Sequence, residues 1–139
     1  MSQGKGKRII FKSNELSFSA PPEPWQERRA LIVDPLLGFD TKALDLKIGD
    51  LPPGGHNVKH RETHEHIMYF LSGRGYLILD EERYEWEAGD AIFIPSWTWH
   101  QWHNSDIEKP ARYLMITNTP MVDNLGLNRK WQQGEELLG

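Results

Sequence analysis

The chain has 139 residues, 38% of them hydrophobic, which is enough for one well-packed domain and too few for two ordinary ones. Cysteine is absent, so disulfide frameworks, thiolate zinc sites and cysteine nucleophiles are excluded and a cytoplasmic location is the expectation. A formal net charge of −4 argues against nucleic acid as a partner, and no apolar run reaches the length of a membrane span or a signal-peptide core.

Residues 1–8, MSQGKGKR, are basic and read as a solvated, disordered end, leaving 9–139 as a single domain. Beyond them short apolar runs and period-two alternation are separated by Gly, Pro and acidic clusters, the pattern of an all-β sandwich or barrel. The predicted strands are Arg8–Phe11, Ala30–Val33, Ala43–Ile48, Asn57–Glu62, His66–Leu71, Tyr76–Leu79, Arg83–Glu87, Ala91–Ile94, His100–His103 and Arg112–Thr117. In ALDLKIG, Leu44, Leu46 and Ile48 share one face, predicted to meet the core, while Asp45 and Lys47 share the other. Turn residues sit at LPPGG, SGRG, LDEER, EAGD and NSDIEKP. Helix is limited to a turn or two at DPLLGF and at RKWQQGEELL near the end.

All six histidines (His56, His60, His64, His66, His100 and His103) fall between positions 56 and 103, and folding a β-barrel does not require histidine. On an extended strand His60 and Glu62 project from one face into a common cavity. A tight turn around residues 63–65 returns His66 on the neighbouring strand, with Met68 and Phe70 on the same inward face. In GDAIFIPSWTWHQWHN a strand ends at Pro95, a loop carries Trp97 and Trp99, and His100 opens the next strand with Trp102 beside it in parity.

Segment 54–73 reads G-x5-H-x-E-x3-H-x6-G and resembles the first cupin motif with every spacing kept; segment 89–104 reads G-x5-P-x-W-x2-H-x3-N and resembles the second. With flanking strands the resemblance covers 40–118, and it implies a jelly-roll β-barrel enclosing a divalent metal. Its ligands would be His60, Glu62, His66 and His100, with the His and Glu of the family pattern exchanged at 62 and 66. Trp97 stands where the family has Gly, so the loop before His100 is expected to avoid positive φ, its indole narrowing the cavity mouth. The wording HIMYFLSGRGY, AGDAIFIPSWTWHQWHN and ARYLMITNTP is also similar to the cupin domains of gentisate-type ring-cleaving dioxygenases, which use non-haem iron(II).

Imidazoles with one carboxylate suit Fe, Mn, Ni, Cu or Zn, with Fe favoured by the dioxygenase resemblance. Because imidazole binds metal only when neutral, occupancy is expected to fall below a pH of about 6. His64 is expected to be exposed at the hairpin apex, although a shifted turn would let it replace Glu62 or His66. His56 and His103 are expected at the surface or behind the ligands. Trp25, Trp86 and Trp131 read as packing residues. Met68, Trp102 and Arg112 are the candidate substrate contacts, Arg112 as the cation for a carboxylate, against the alternative of a solvated edge residue. Three functions fit: a dioxygenase on a small aromatic or hydroxy-acid molecule; a metal-dependent isomerase, lyase or decarboxylase; and a non-catalytic binding cupin. Strands before residue 50 lie outside the motifs and are expected to pair across a homodimer or to cover a sheet edge.

Overall fold

The alternating segments form two stacked five-stranded antiparallel sheets, a jelly-roll barrel. The structure, a computed structural model, describes residues 8–133. Its strands are β1 (Arg28–Val33), β2 (Asp45–Leu51), β3 (His60–Glu62), β4 (His66–Ser72), β5 (Arg74–Leu79), β6 (Glu82–Glu87), β7 (Ala91–Ile94), β8 (His100–Asn104), β9 (Ala111–Thr117) and β10 (Lys130–Gln132). One sheet has the order β1-β2-β9-β4-β7 and the other β10-β3-β8-β5-β6. Their inner faces meet over Leu51, Met68, Phe70, Leu77, Trp86, Ile94, Trp102, Tyr113 and Met115, with the Phe70 and Trp86 rings stacked at 3.7 Å. Each such side chain contributes roughly 1.5–3 kcal/mol on burial.

Several elements depart from the sequence expectation. Register pairs Lys47 with Met115 and Asp45 with Thr117, so Asp45 and Lys47 face inward, while Leu46 and Ile48 lie opposite Ile116 and Leu114 on the outer face. Of the three leucine and isoleucine positions Ile48 is buried as expected, while Leu44 is exposed and Leu46 half-buried, because this sheet's outer face is itself apolar, with Ile67, Tyr69, Phe93 and Ile116 exposed. Asp45 is satisfied inside by the Thr117 amide at 3.0 Å and hydroxyl at 2.7 Å.

No strand forms at Arg8–Phe11. Arg8 instead donates to the Leu37 carbonyl at 2.9 Å and sits over the Phe11 and Phe39 rings, so the chain is already fixed at this residue. The rest of the basic end, residues 1–7, lies outside the described residues, as does 134–139. The DPLLGF turn is a short 3-10 turn at Pro35–Leu37. The C-terminal helical turn is replaced, in its described part, by β10, which pairs with β3 through Trp131 opposite Arg61. Among the described residues one α-helix forms, α1 (Thr119–Asn124), where the sequence reading places none; Pro120 in its first turn fits the helix start. Among the described residues no helix is long and apolar enough to cross a membrane.

β1 does cover the edge of β2, within the same chain. Two glycines make room for groups on the neighbouring strands of their own sheets. A Cβ at Gly49 would lie 2.3 Å from the Tyr113 hydroxyl oxygen, and one at Gly75 would lie 1.9 Å from the His103 carbonyl and 2.4 Å from the Trp86 ring. Gly75→Ala is therefore expected to cost about 3 kcal/mol or more, read as a fall in the urea unfolding midpoint with unchanged slope.

Candidate metal centre

Four of the chain's imidazoles and one carboxylate converge at one end of the barrel. β3 delivers His60 and Glu62 from alternate positions on its inner face; β8 places His100 directly opposite His60; β4 opens with His66. His60, Glu62, His66 and His100 are all buried. The Nε2 atoms of His60, His64 and His66 lie 2.9, 2.7 and 3.1 Å from the Glu62 carboxylate, and the His100 Nε2 lies 3.1 Å from that of His60. Two three-residue groups with metal-ligand spacing result, His60/Glu62/His100 and Glu62/His64/His66, sharing the carboxylate.

Tautomers test whether this set fits a metal. His60 Nδ1 lies 2.6 Å from the Val58 carbonyl and His100 Nδ1 lies 2.8 Å from the Thr98 carbonyl. A carbonyl only accepts, so both Nδ1 atoms carry a proton, and in the neutral form of each ring Nε2 presents a lone pair. In that form the two lone pairs face each other and that of His60 also faces a carboxylate oxygen, a contact that is repulsive unless a proton or a cation lies between them. A divalent cation relieves it, and the donor set of nitrogen and carboxylate oxygen without sulfur suits a first-row transition metal.

Electrostatics favour an ionised Glu62 and neutral His66 and His100. Burial raises the Glu62 carboxyl, but the surrounding His60, His64 and His66 outweigh it and hold the group well below the usual carboxylate range. Burial pushes His100 down to about 3, helped by His60 and His66, and also lowers His66 despite its contact with Glu62. Neutral His100 thus persists well below the pH of about 6 expected from the unperturbed imidazole.

His64 is not the exposed apex residue expected of it: its side chain is 12% exposed and turned onto Glu62. The turn is pinned by the Thr63 amide to the Arg129 carbonyl and the Glu65 amide to Asn118 Oδ1, which leaves His64 facing in. Trp97 adopts φ 56°, the left-handed conformation the sequence argued against. The strain, of the order of 1–3 kcal/mol, is offset by its amide bond to the Glu62 carbonyl at 2.7 Å and by Arg61, whose guanidinium packs between the Trp97, Trp99 and Trp131 rings at 4.6–5.0 Å. The Trp97 indole is therefore spent on Arg61.

Of the candidate substrate contacts, Trp102 lies beneath the histidines, stacked on His100 and edge-on to His60 and His66. Met68 is fully buried in the core. Arg112 lies on the outer face, bonded to Asp50 at 2.6 and 3.0 Å beside Arg28. His56 stacks on Trp25 and His103 on Tyr76, both outside the cluster.

Glu27 and Arg29 lie in no motif, and nothing in the sequence points to them. Glu27 accepts from the Trp102 indole at 2.5 Å and the Tyr113 hydroxyl at 2.8 Å, and pairs with Arg29. A cavity of about 250 Å³ borders His60 and is lined by residues of the N-terminal segment, β1, the stretch before β3, and β10. Lys130 of β10 lines it and reaches to 3.9 Å from Glu62.

Residues 47–117 match the Cupin domain family, and the chain belongs to that family. It is 31% identical over 80 residues to the 5-aminosalicylate 1,2-dioxygenase of a Comamonas species, covering 58% of this chain and 21% of that protein. To the 1-methylthio-D-xylulose 5-phosphate methylsulfurylase of Rhodospirillum rubrum it is 33% identical over 74 residues, 53% of this chain and 47% of the other. Its fold superposes on the salicylate 1,2-dioxygenase of Pseudoaminobacter salicylatoxidans with a TM-score of 0.74 at 19% identity, over 84% of this chain and 31% of that one. The chain thus spans less than half the length of each of these proteins.

Two outcomes are expected. His100→Ala should lose stoichiometric divalent metal by elemental analysis while keeping its β-type circular dichroism, and His56→Ala should keep the metal. In the metal-free protein folded His100 stays neutral where an unfolded histidine takes a proton below a pH of about 6.5. Its share of stability is therefore full above that pH and lost toward pH 3, at up to about 1.4 kcal/mol per pH unit, a slope that unfolding of His100→Ala in chelator should lack.

Proposed function

We propose that the protein is a metal-dependent enzyme acting on a small aromatic or hydroxy-acid molecule, with dioxygenase chemistry as the leading reaction. The observation that carries the reading is the meeting of the His60 and His100 Nε2 atoms beside the Glu62 carboxylate, a buried group with metal-ligand spacing that a cation would satisfy. His60, Glu62, His66 and His100 would hold the metal, with iron first among Fe, Mn, Ni, Cu and Zn. Bound there, such an ion supplies Lewis acidity and, if redox-active, a route for electrons to dioxygen. The chain's own contributions are to fix the imidazole tautomers through Val58 and Thr98, to floor the site with Trp102, and to keep bulk water out by burial. The likeness to a 5-aminosalicylate 1,2-dioxygenase supports the oxygenase reading.

A second reading, a non-redox isomerase, lyase or decarboxylase, is favoured by the crowding of five candidate donors around one point, which leaves few open positions, and by the methylsulfurylase relative. Oxygen consumption by iron(II)-loaded protein over a panel of hydroxy acids is expected under the first reading. Turnover undiminished in anaerobic buffer would favour the second. A cytoplasmic location and a homodimer complete the proposal; the exposed apolar outer face of the β1-β2-β9-β4-β7 sheet supports self-association. Light scattering at tens of micromolar should give twice the chain mass, and a monomer mass overturns the dimer.

A further inference from the structure

Among the described residues the cavity beside His60 is lined by no Phe, Tyr or Trp. That is notable in a chain with six tryptophans, and the reason is visible: each ring has another occupation. Trp25 stacks on His56, Trp86 on Phe70 and Trp102 on His100, while Trp97, Trp99 and Trp131 enclose Arg61. Besides Ser19 and His60 the polar lining is Gln26, Glu27, Arg29, Asn57, Lys130 and Gln132, and the rest is proline and short aliphatic side chains. Pockets that hold planar rings are usually lined by apolar and aromatic groups, and this one lacks the ring-stacking part.

Charge points to the ligand's sign. Two cations, Arg29 and Lys130, line the cavity against one carboxylate, Glu27, which is committed to Arg29, Trp102 and Tyr113. The Arg29 Nε–H is buried and has no acceptor among the described residues, a donor left for an incoming oxygen. Lys130 stands between this cavity and the cluster, bordering the one and 3.9 Å from Glu62 in the other.

We infer that the cavity binds a small non-aromatic oxyanion carrying hydroxyl groups, its anionic end held by Arg29 and Lys130 and its hydroxylated end toward His60. This rests on the metal-dependent reading above and narrows its two substrate classes to the non-aromatic one. An aliphatic hydroxycarboxylate and a sugar phosphate share the required chemistry. A charge-assisted fork from arginine serves either, and the hydroxyls meet the glutamine and asparagine side chains.

The test is calorimetric titration of the full chain loaded with zinc(II), which removes oxygen chemistry, using L-malate, D-ribose 5-phosphate and gentisate at fixed ionic strength. Malate or ribose 5-phosphate is expected to bind at least ten-fold more tightly than gentisate, and the tighter of the two identifies carboxylate or phosphate as the anionic end. Lys130→Met and, separately, Arg29→Gln should each weaken that binding ten-fold or more with metal stoichiometry unchanged. Gentisate binding as tightly as both aliphatic probes, absence of binding by either of them, or indifference to both substitutions overturns the inference. Metal content measured on the same samples separates the two proposals: malate or ribose 5-phosphate binding that depends on Lys130 in protein that takes up no zinc would sustain the cavity and sink the metal centre.

Discussion

The site depends on two buried imidazoles whose Nδ1–H groups each donate to a backbone carbonyl two residues earlier in the chain, Val58 for His60 and Thr98 for His100. That local bond holds each ring in place, and the antiparallel pairing of His60 with His100 then brings the two Nε2 atoms to 3.1 Å. The surrounding sheets hold the arrangement, with Trp102 stacked on His100 and the two oxygens of Glu62 within 3.1 Å of three imidazoles. A cation bound there would meet donors that the fold has already assembled.

The loops around the cluster serve the same constraint by different means. Trp97 accepts a left-handed backbone so that its amide reaches the Glu62 carbonyl, and the three-ring enclosure of Arg61 ties that loop to β3 and β10 at once. Arg61 is the outward neighbour of His60 and Glu62 on the same strand, so the clamp grips the back of the strand whose front carries two of the ligands. On the other side, β1 and the residues before it contribute the cavity that gives the cluster a neighbouring space of polar character.

Much of this was legible in the sequence, for identifiable reasons. Alternation, turn residues and the two gapped motifs gave the strands and brought His60, Glu62, His66 and His100 into one neighbourhood, because strand parity is a short-range property. What parity cannot supply is which face of a sheet is the inside when both faces are apolar, and in β2 it is Asp45 and Lys47 that turn inward. His64 was misplaced because its orientation depends on Arg129 and Asn118, more than fifty residues away. Trp97 contradicted a sound local rule, since three non-local aromatic contacts to Arg61 outweigh the backbone preference. The cation expected at Arg112 lies on the outer face with Asp50, whereas Arg29 and Lys130, in segments with no motif, border the cluster.

The carboxylate of Glu27 has a bearing on what may be transplanted. The family match begins at residue 47, yet the indole of Trp102 and the phenol of Tyr113, both inside that match and both buried, find their acceptor twenty residues before it. A graft limited to 47–117 would carry two sealed donors into a new host with nothing to receive them, at roughly 1–3 kcal/mol each, directly under the histidines. The exchangeable unit of this barrel is therefore larger than its recognisable signature. Its boundary is set by a hydrogen-bond ledger that no pattern of conserved spacing displays.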